Sequence, residues 1–401
     1  MNLKQLGILL TLVVLIGGAG LLLHNRQQSS WTGGGPDAGK KLLGEFSVND
    51  VAHISIVQGT NELNLVKKDD FWRVRERANY PANFPQISEF LLKARDLKVV
   101  QTEEIGPSQL ARMELATGTV SNAAVVVVFA DSADKPMRTL LLGKMHLGKS
   151  PSPAPAEGDG GMPDGRYVAV GTNAQQVALI ADPLNTVVAA PDQWIDKTFI
   201  QVEKPKMISI QFPVATNSWV LTRETESGDW KLSNTNFGEV LDAAKLSGVT
   251  SAFSSPTISS VMAGAKLGAS ETNPPTIVRM DTFDGFHYTI NVGAKTNEDY
   301  PVTVSVTAAL ADKRDPGKDE KPEDKTRLDQ AFQDAQRKLA DKLKVEQGFQ
   351  QWTYLLPSWT VDPVLKERVL LLADKKPAAE NATDKPDATG QMPPLVPMGG
   401  L

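Results

Sequence analysis

The chain has 401 residues, 41% of them hydrophobic and 22% charged, so it is long enough for two or three domains with real cores. Its formal net charge of -5 argues against a nucleic-acid partner, because proteins that bind nucleic acids usually carry a basic excess. The chain contains no cysteine, which excludes disulfide bonds, thiolate metal sites, cysteine nucleophiles and a lipid-modified N-terminal cysteine.

A hydrophobic stretch near the amino terminus predicts a membrane anchor. Leu6 to Leu23 is a run of 18 uncharged, mostly apolar residues. At about 1.5 Å per residue it reaches the lower limit for crossing a bilayer core. A cleaved signal peptide is the alternative, but no Ala-x-Ala site precedes a polar region. We expect residues 1–28 to form a retained single-pass transmembrane helix, with the bulk of the chain outside the cytoplasm.

A Gly-rich segment separates this anchor from the rest of the chain. Residues 29–45 include Gly33-Gly34-Gly35-Pro36 and show no apolar periodicity before the first strand. That composition is typical of a flexible linker. We therefore predict a tether that lets the folded part stand away from the bilayer.

Residues 46–205 are predicted to form an α+β unit. The unit starts with the strand core Ile54-Ser55-Ile56 and passes through a second apolar stretch to Trp72. Asn83, with Gln86 three residues later, has the capping-box arrangement that begins a helix. The predicted helix has a one-sided apolar stripe of period 3.6, formed by Ile87, Phe90, Leu91, Ala94 and Leu97.

Short strands and a closing helical turn complete this unit. Ala123 to Ala130 is a continuous apolar run, and the polar turn Asp131 to Pro136 reverses it into Thr139 to Gly143. The remaining elements are two short strands and a helical turn, predicted over Tyr167 to Val170, Val177 to Ile180 and Asp192 to Phe199.

Residues 206–374 repeat this order. Ile208-Ser209-Ile210 corresponds to the first strand core, Trp230 to Trp72, and Asn236 to Val240 to the helix start. A hairpin formed by Thr276 to Met280 and Phe286 to Gly293 repeats the hairpin of the first unit, so that Val292-Gly293 matches Leu142-Gly143. The strand at Tyr300 matches the strand at Tyr167, and Trp352 to Leu356 and Leu365 to Leu372 match the closing strand and turn. The sequence thus predicts an α+β fold of two tandem similar repeats, each a mixed or antiparallel sheet with a helix.

The repeats differ mainly by insertions. The first contains the Pro/Gly loop Gly148 to Gly165, and the second contains the charged segment 312–346. One apolar helix face in the charged segment, from Thr326 to Val345, consists of Leu328, Phe332, Leu339 and Leu343. This helix either covers its own repeat or meets a partner. Residues 375–401 are predicted to be a disordered tail, in which Pro393 to Pro397 is a weaker candidate for an extended ligand.

One motif suggests nucleotide binding. Gly143 to Ser150 satisfies the phosphate-loop pattern G-x-x-x-x-G-K-[ST] and follows an apolar strand. A working phosphate loop must open a helix whose first amides point at the anion. Prolines at 151, 153 and 155 prevent such a helix after Lys149, so we interpret the match as a coincidence.

The remaining polar residues give no catalytic constellation. The four histidines, at 24, 53, 146 and 287, lack metal-binding spacing, and His53 and His287 are expected at surface or edge positions of strands. Glu157, Asp159 and Asp164 form an acidic loop without the EF-hand spacing for calcium. No catalytic, cofactor-binding or metal-binding residue is predicted, and structural roles are favoured for the two repeated tryptophans over a binding platform.

The chain resembles the domain-of-unknown-function 4340 family of bacterial membrane-anchored envelope proteins. The resemblance depends on four features: the N-terminal anchor, Phe71-Trp72-Arg73-Val74 before a helix, Leu141-Leu142-Gly143 before Tyr167-Val168, and Trp194-Ile195-Asp196-Lys197 before Ile208-Ser209-Ile210. It covers residues 51–261 best. It implies a location at the bacterial inner membrane with the bulk on the periplasmic side. Some members accompany gliding-motility-type ABC transporter components, and the family supplies no catalytic residues.

These observations favour a non-enzymatic, membrane-anchored protein-interaction or scaffold module. The resemblance adds an ABC-type transport complex as a candidate partner. The alternative is an extracytoplasmic glycan- or lipid-binding module that uses a cleft between the repeats. An enzyme with an unfamiliar site is the third hypothesis.

Overall fold

A computed structural model describes residues 37–120, 122–148, 162–171, 176–264, 267, 274–316 and 320–374. The predicted anchor at Leu6 to Leu23, residues 29–36 of the tether, most of the Pro/Gly loop and the tail 375–401 lie outside the described residues. Within the described ranges, none of the helices combines the length and the apolar composition that spanning a bilayer requires.

Two antiparallel sheets form the body of the described chain, which confirms the α+β class. The first sheet is built from β1 His53–Gln58, β2 Asn61–Lys68, β3 Phe71–Val74, β4 Tyr80–Pro81, β5 Val99–Glu104, β6 Val125–Ala130, β7 Pro136–Leu147, β8 Pro163–Val170 and β9 Gln176–Ile180. The second is built from β10 Pro205–Gln211, β11 Trp219–Thr222, β12 Lys231–Leu232, β13 Ser260–Ala263, β14 Thr276–Thr282, β15 Phe286–Val292, β16 Asp299–Ala308 and β17 Trp352–Pro357.

The described helices are few and mostly short. They are α1 Phe84–Asp96, α2 Pro191–Trp194, α3 Ser247–Ser251, α4 Pro322–Gln347 and α5 Ser358–Val361. The α1 helix begins as predicted: the Asn83 side chain accepts a hydrogen bond from the amide of Gln86 at 3.2 Å. Its predicted apolar stripe is buried against the first sheet.

The strand order is the same in both sheets. It runs β4-β3-β2-β1-β6-β7-β8-β9-β5 in the first and β12-β11-β10-β14-β15-β16-β17-β13 in the second, so the second lacks only a counterpart of β4. The pairing register also agrees, because Ile54 lies opposite Leu65 and Ile208 lies opposite Leu221. Following the register across each sheet makes Leu142 equivalent to Val292, as the sequence comparison predicts.

The strand that contains Tyr300, β16, occupies the position of β8, which contains Tyr167, and the register aligns Tyr300 with Arg166. One detail of the predicted correspondence is wrong: Asn236 to Val240 does not start a helix, since Gly238 has a φ of +81° there. Its capping contacts survive in a turn, where a Glu239 carboxylate oxygen accepts the amide of Asn236 at 2.9 Å. The first helical residues after this turn are a short 3-10 turn at Ala243–Lys245, followed by α3.

The two sheets share one continuous hydrophobic core in the described chain. Leu43 and Phe46 already belong to it, and Gly39 donates a backbone hydrogen bond to the carbonyl of Val99 at 2.8 Å. Packing therefore begins inside the segment 29–45 that the sequence assigns to the tether. The polar composition of that segment hides this, because only two apolar side chains, Leu42 and Leu43, mark the contact.

The charged insertion of the second repeat folds back onto its own repeat. All four apolar side chains of the predicted face are half-buried, and of these Leu339 and Leu343 pack against the main core. Glu346 is 3% exposed, and its two carboxylate oxygens accept the Gln201 amide at 2.9 Å and the Tyr288 hydroxyl at 2.8 Å. The end of α4 is thus fixed to the segment that joins the two sheets.

Candidate functional site

The phosphate-loop motif lies on a strand and not in a loop. Gly143 to Leu147 belongs to β7, where Gly143 and Lys144 form an irregularity in the pairing and Met145 to Leu147 pair with β8. The segment is part of a strand and does not wrap an anion. A Cβ added at Gly143 would lie 2.4 Å from the carbonyl oxygen of Met113. The glycine therefore lets the segment around Met113 cross directly over the strand. Lys149 and Ser150 lie outside the described residues.

Each described histidine forms a pair with an aspartate. The distances from Nδ1 to the nearest carboxylate oxygen are 2.8 Å for His53–Asp134, 2.7 Å for His146–Asp164 and 2.7 Å for His287–Asp281. His24, Glu157 and Asp159 lie outside the described residues. Within the part of the chain that the structure describes, no group of three or more His, Asp or Glu side chains is placed to hold a metal ion.

His53 differs from its predicted surface or edge position. It lies on β1, an interior strand of the sheet, and its side chain is only 15% exposed. Its Nε2 is 2.9 Å from Oδ1 of Asn64, whose amide nitrogen donates to Glu62 and Glu76, each at 2.8 Å. Burial of these polar groups is offset by their mutual hydrogen bonds. His287, by contrast, is half exposed on β15.

The two repeated tryptophans have structural positions. Trp72 is 6% exposed within the core, and the strand register makes Trp230 its equivalent. Trp230 is half-buried, with the guanidinium of Arg223 at 4.9 Å from its ring centroid. Neither ring is presented as a flat exposed platform.

A polar cluster joins the first repeat to the second. Arg77 donates two hydrogen bonds of 2.6 Å to the two carboxylate oxygens of Asp192 and a third, of 3.1 Å, to the Ser260 hydroxyl on β13. The Ser260 hydroxyl also donates to Asp192. Lys197 donates to the carbonyl of Ser259 at 2.8 Å. The cluster therefore ties the end of β3 and the start of α2 to an edge strand of the other sheet.

The charges in this cluster compensate one another. Burial raises the pKa of Asp192, but the hydrogen bonds from Arg77 and Ser260 lower it by more, so the net pKa is below its ordinary value. Burial lowers the pKa of Lys197, and the neighbouring positive charge of Arg77 lowers it further. Asp192 is therefore held as a carboxylate that balances two nearby cations, which suits a structural contact.

Aromatic rings fill the junction where the alternative hypothesis places a ligand cleft. Tyr80 packs edge-on against Trp352 with ring centroids 5.0 Å apart, and Phe199 packs against Tyr354 at 4.4 Å. Tyr354 is fully buried, and burial raises the pKa of Tyr80 to about 12. Among the described residues, the space between the two sheets is occupied by protein.

An exposed apolar surface lies on the second repeat. We call it the apolar surface and define it by Val214, Phe237, Val240, Val369 and Leu370. Phe237 is fully exposed, and the other four side chains are 55–65% exposed. Single exposed apolar residues are ordinary, but a group on adjoining segments is typical of an interaction site.

Hydrogen bonds join the segment of Val240 to the segment of Val369 and Leu370, and the residues after Val214 contact the latter segment. The amide of Ala373 donates to the carbonyl of Val240 at 2.8 Å, and the amide of Asp242 donates to the carbonyl of Leu371 at 2.9 Å. Arg368 contacts a carboxylate oxygen of Glu239 at 2.7 Å, and this pairing lowers the pKa of Glu239 to about 2. The apolar side chains are thus displayed on a braced framework.

Sequence reasoning did not find this surface. Its two halves are more than 120 residues apart, and the Asn236 to Val240 segment is expected to form a helix that would direct its apolar residues inward. The available signal is Gly238 directly after Phe237, a pair that favours a turn over a helix.

Comparison with known protein families gives a match over most of the first sheet and part of the second. The family described as Domain of unknown function (DUF4340) matches residues 72–276, about half of the chain. No curated protein and no solved structure matches the sequence.

Proposed function

This chain belongs to the DUF4340 family, and we propose that it is a membrane-anchored interaction module of the bacterial cell envelope that docks onto an ABC-type transport complex. The family description assigns no activity, and a fold by itself does not define a function. The proposal therefore depends on what the surface of the molecule offers a partner.

The observation that carries the proposal is the apolar surface of the second repeat. Burying a fully exposed phenylalanine against a partner contributes about 1.5–3 kcal/mol, which is the size of a typical interface anchor. Phe237 stands on a turn that is braced by the Arg368–Glu239 ion pair, so little ordering is required when a partner binds. The predicted anchor at Leu6 to Leu23 supports an envelope location, and the resemblance suggests the class of partner.

Site-specific photocrosslinking in native membranes tests this function. Phe237 is replaced by benzoylphenylalanine in the full chain, and the matched control carries the same replacement at Phe71, a 67% exposed phenylalanine of the first repeat. We expect a stoichiometric crosslink from position 237 to a membrane component of an ABC-type transporter, and none from position 71.

Two results would contradict the proposal. Crosslinking from position 237 to no protein, or the same products from both positions, would remove the evidence for a specific surface. A specific partner that is not part of a transport complex would keep the surface and reject the proposed partner class.

A further inference from the structure

The first sheet carries a second, smaller core on the face opposite the main one. It consists of Leu115, Ala124, Leu141, Ala169 and Val177, and the segment 105–116 covers it. The amide of Lys144 donates to the carbonyl of Met113 at 2.8 Å, which fixes that segment to β7. The absence of a Cβ at Gly143 permits this close crossing.

An unfilled space lies beside this small core and shares Ile105, Met113 and Tyr167 with it. A half-open groove of about 510 Å³ continues from it across the sheet, a volume within the range of about 300–1,000 Å³ that ligand sites occupy. Its apolar lining is formed by Ile105, Met113, Met145, Leu147 and Tyr167. Leu147 is 47% exposed at the mouth of the groove.

Two cationic side chains and a carboxylate lie at different strands of the groove, and His146, which also lines it, is paired with Asp164 at 2.7 Å. Arg112 and Lys144 lie at the β7 side, on the two segments that the Lys144–Met113 hydrogen bond joins. The described residues offer neither side chain an ion-pair partner. Glu103 lies on β5, which is the third strand from β7 in the sheet and therefore about 14 Å away from it. It accepts a hydrogen bond from Gln101 at 3.1 Å.

The second repeat does not reproduce the small core from which the groove continues. The strand register places Asn291 at the position of Leu141 and Thr303 at that of Ala169, and these two polar side chains bond each other at 3.2 Å. The small apolar core is therefore a property of the first repeat and not of the shared strand arrangement.

We propose that this groove binds a single-chain fatty carboxylate, with its anionic head at Arg112 and Lys144 and its acyl chain along Met145, Leu147 and Tyr167 toward β5. The two cations, which have no ion-pair partner among the described residues, match one carboxylate, and the flexible methionines adapt to an alkyl chain. An extended chain of roughly 14 Å spans the distance from the cations to β5.

Displacement of dansyl-undecanoate fluorescence tests the assignment. The full chain is held in an amphipathic polymer, so that no detergent micelle takes up the probe. Dodecanoate, dodecanol and dodecylamine, which share one alkyl chain and differ in head group, are the competitors. We expect saturable probe binding that dodecanoate displaces at least about tenfold more effectively than the other two, because a charge-assisted contact is worth about that factor.

Exposed residues supply variants that keep the fold. Lys144→Ala and Arg112→Ala are each expected to weaken dodecanoate binding about tenfold, and Leu147→Gln is expected to weaken all three competitors. Lys295→Ala, in the segment just after β15 that corresponds to this part of β7, is the matched control and should leave binding unchanged. Melting temperatures of all variants are compared to confirm folding.

Three results would overturn the proposal: no saturable probe binding, equal displacement by dodecylamine and dodecanoate, or equal binding by Lys144→Ala and Lys295→Ala. The experiment does not involve the apolar surface, so its outcome is independent of the proposed interaction with a transport complex.

Discussion

The two repeats share a strand register but cover their sheets differently. Arg138 and Tyr288 occupy equivalent positions. Arg138 lies opposite Phe129, the partner of Ile54, and Tyr288 lies opposite Met280, the partner of Ile208. Arg138 binds the carbonyls of Leu43 and Glu45 at 2.8 and 2.6 Å, and so holds the segment that precedes the first sheet. Tyr288 instead binds Glu346 of the inserted helix.

This difference shows which part of the architecture the repeated sequence specifies. The alternation of buried and exposed residues along a strand fixes its register, since a slip by one residue would turn every apolar side chain outward. The covering elements obey no such constraint. The first repeat uses α1 and its buried stripe, whereas the second uses short helical turns and the inserted helix α4.

The largest expected effect is the loss of a ring from α1. Phe90 is 4% exposed and packs against Phe129 at 5.6 Å and Trp194 at 5.9 Å. Phe90→Ala leaves a cavity and should lower the free energy of unfolding by about 3–5 kcal/mol. Urea denaturation of the full chain measures it. Leu92→Ala on the exposed side of the same helix is the control, and an equal loss there would contradict the assigned packing.

The second repeat should depend on Glu346 as the first depends on Phe90. Glu346→Ala leaves the Gln201 amide without its acceptor and the Tyr288 hydroxyl with only the Gln201 carbonyl at 3.4 Å, which should cost about 2–3 kcal/mol of unfolding free energy. Hydrogen exchange should also rise through the end of α4. Glu323→Ala, at the exposed start of the helix, should leave stability within about 0.5 kcal/mol. A loss of the same size at both positions would show that α4 is not fixed through Glu346.

Replacing Glu346 by glutamine should remove a pH dependence. Burial raises the pKa of Glu346 above its ordinary value, against the hydrogen bonds from Gln201 and Tyr288 that lower it. The folded state therefore holds the proton more tightly than the unfolded state does. The stability that this preference contributes is present below the unfolded pKa and is lost as pH rises through the folded pKa. The difference in unfolding free energy, Glu346→Gln minus native, should increase with pH over that range. A difference that stays constant would show that the carboxylate has an unshifted pKa.

The polar cluster at the junction between the repeats should contribute less to the free energy of unfolding. The Arg77–Asp192 pair is bidentate but partly exposed, with side-chain exposures of 26% and 39%. A double-mutant cycle of Arg77→Ala and Asp192→Ala should give a coupling energy of about 1 kcal/mol in chemical denaturation. A coupling energy of zero would show that the Arg77–Asp192 pair adds nothing to the stability of this cluster.

The strands and the first helix were accessible from the sequence because their signals are local. Ile54-Ser55-Ile56 and its second copy show the two-residue period of a half-buried strand, and Asn83 with Gln86 marks a helix start. The apolar groove and the apolar surface were not accessible, because each depends on side chains that only the tertiary fold brings together. His53 illustrates the same limit: its histidine–asparagine–glutamate network joins residues from separate elements.

The smallest expected change in stability concerns the segment Asn236 to Val240, where the predicted helix does not form. Asn236 to Val240 matches the start of α1 in its capping residues, yet Gly238 has a φ of +81°, a conformation that an L-residue adopts only with strain. A Cβ at Gly238 meets nothing within 4 Å, so Gly238→Ala tests the backbone alone and should cost about 1 kcal/mol.

Gly348, at the end of α4, offers a control of opposite sign. Its surroundings are equally open, but its φ is -62°, which alanine accepts. Gly348→Ala should therefore stabilise the chain by about 0.4–1 kcal/mol, because it reduces the freedom of the unfolded state without straining the folded one. Thermal melts of the two variants should shift in opposite directions. If Gly238→Ala stabilised the chain as Gly348→Ala does, the segment would accept helical backbone angles. The apolar surface at Phe237 would then lose the rigid turn on which its display depends.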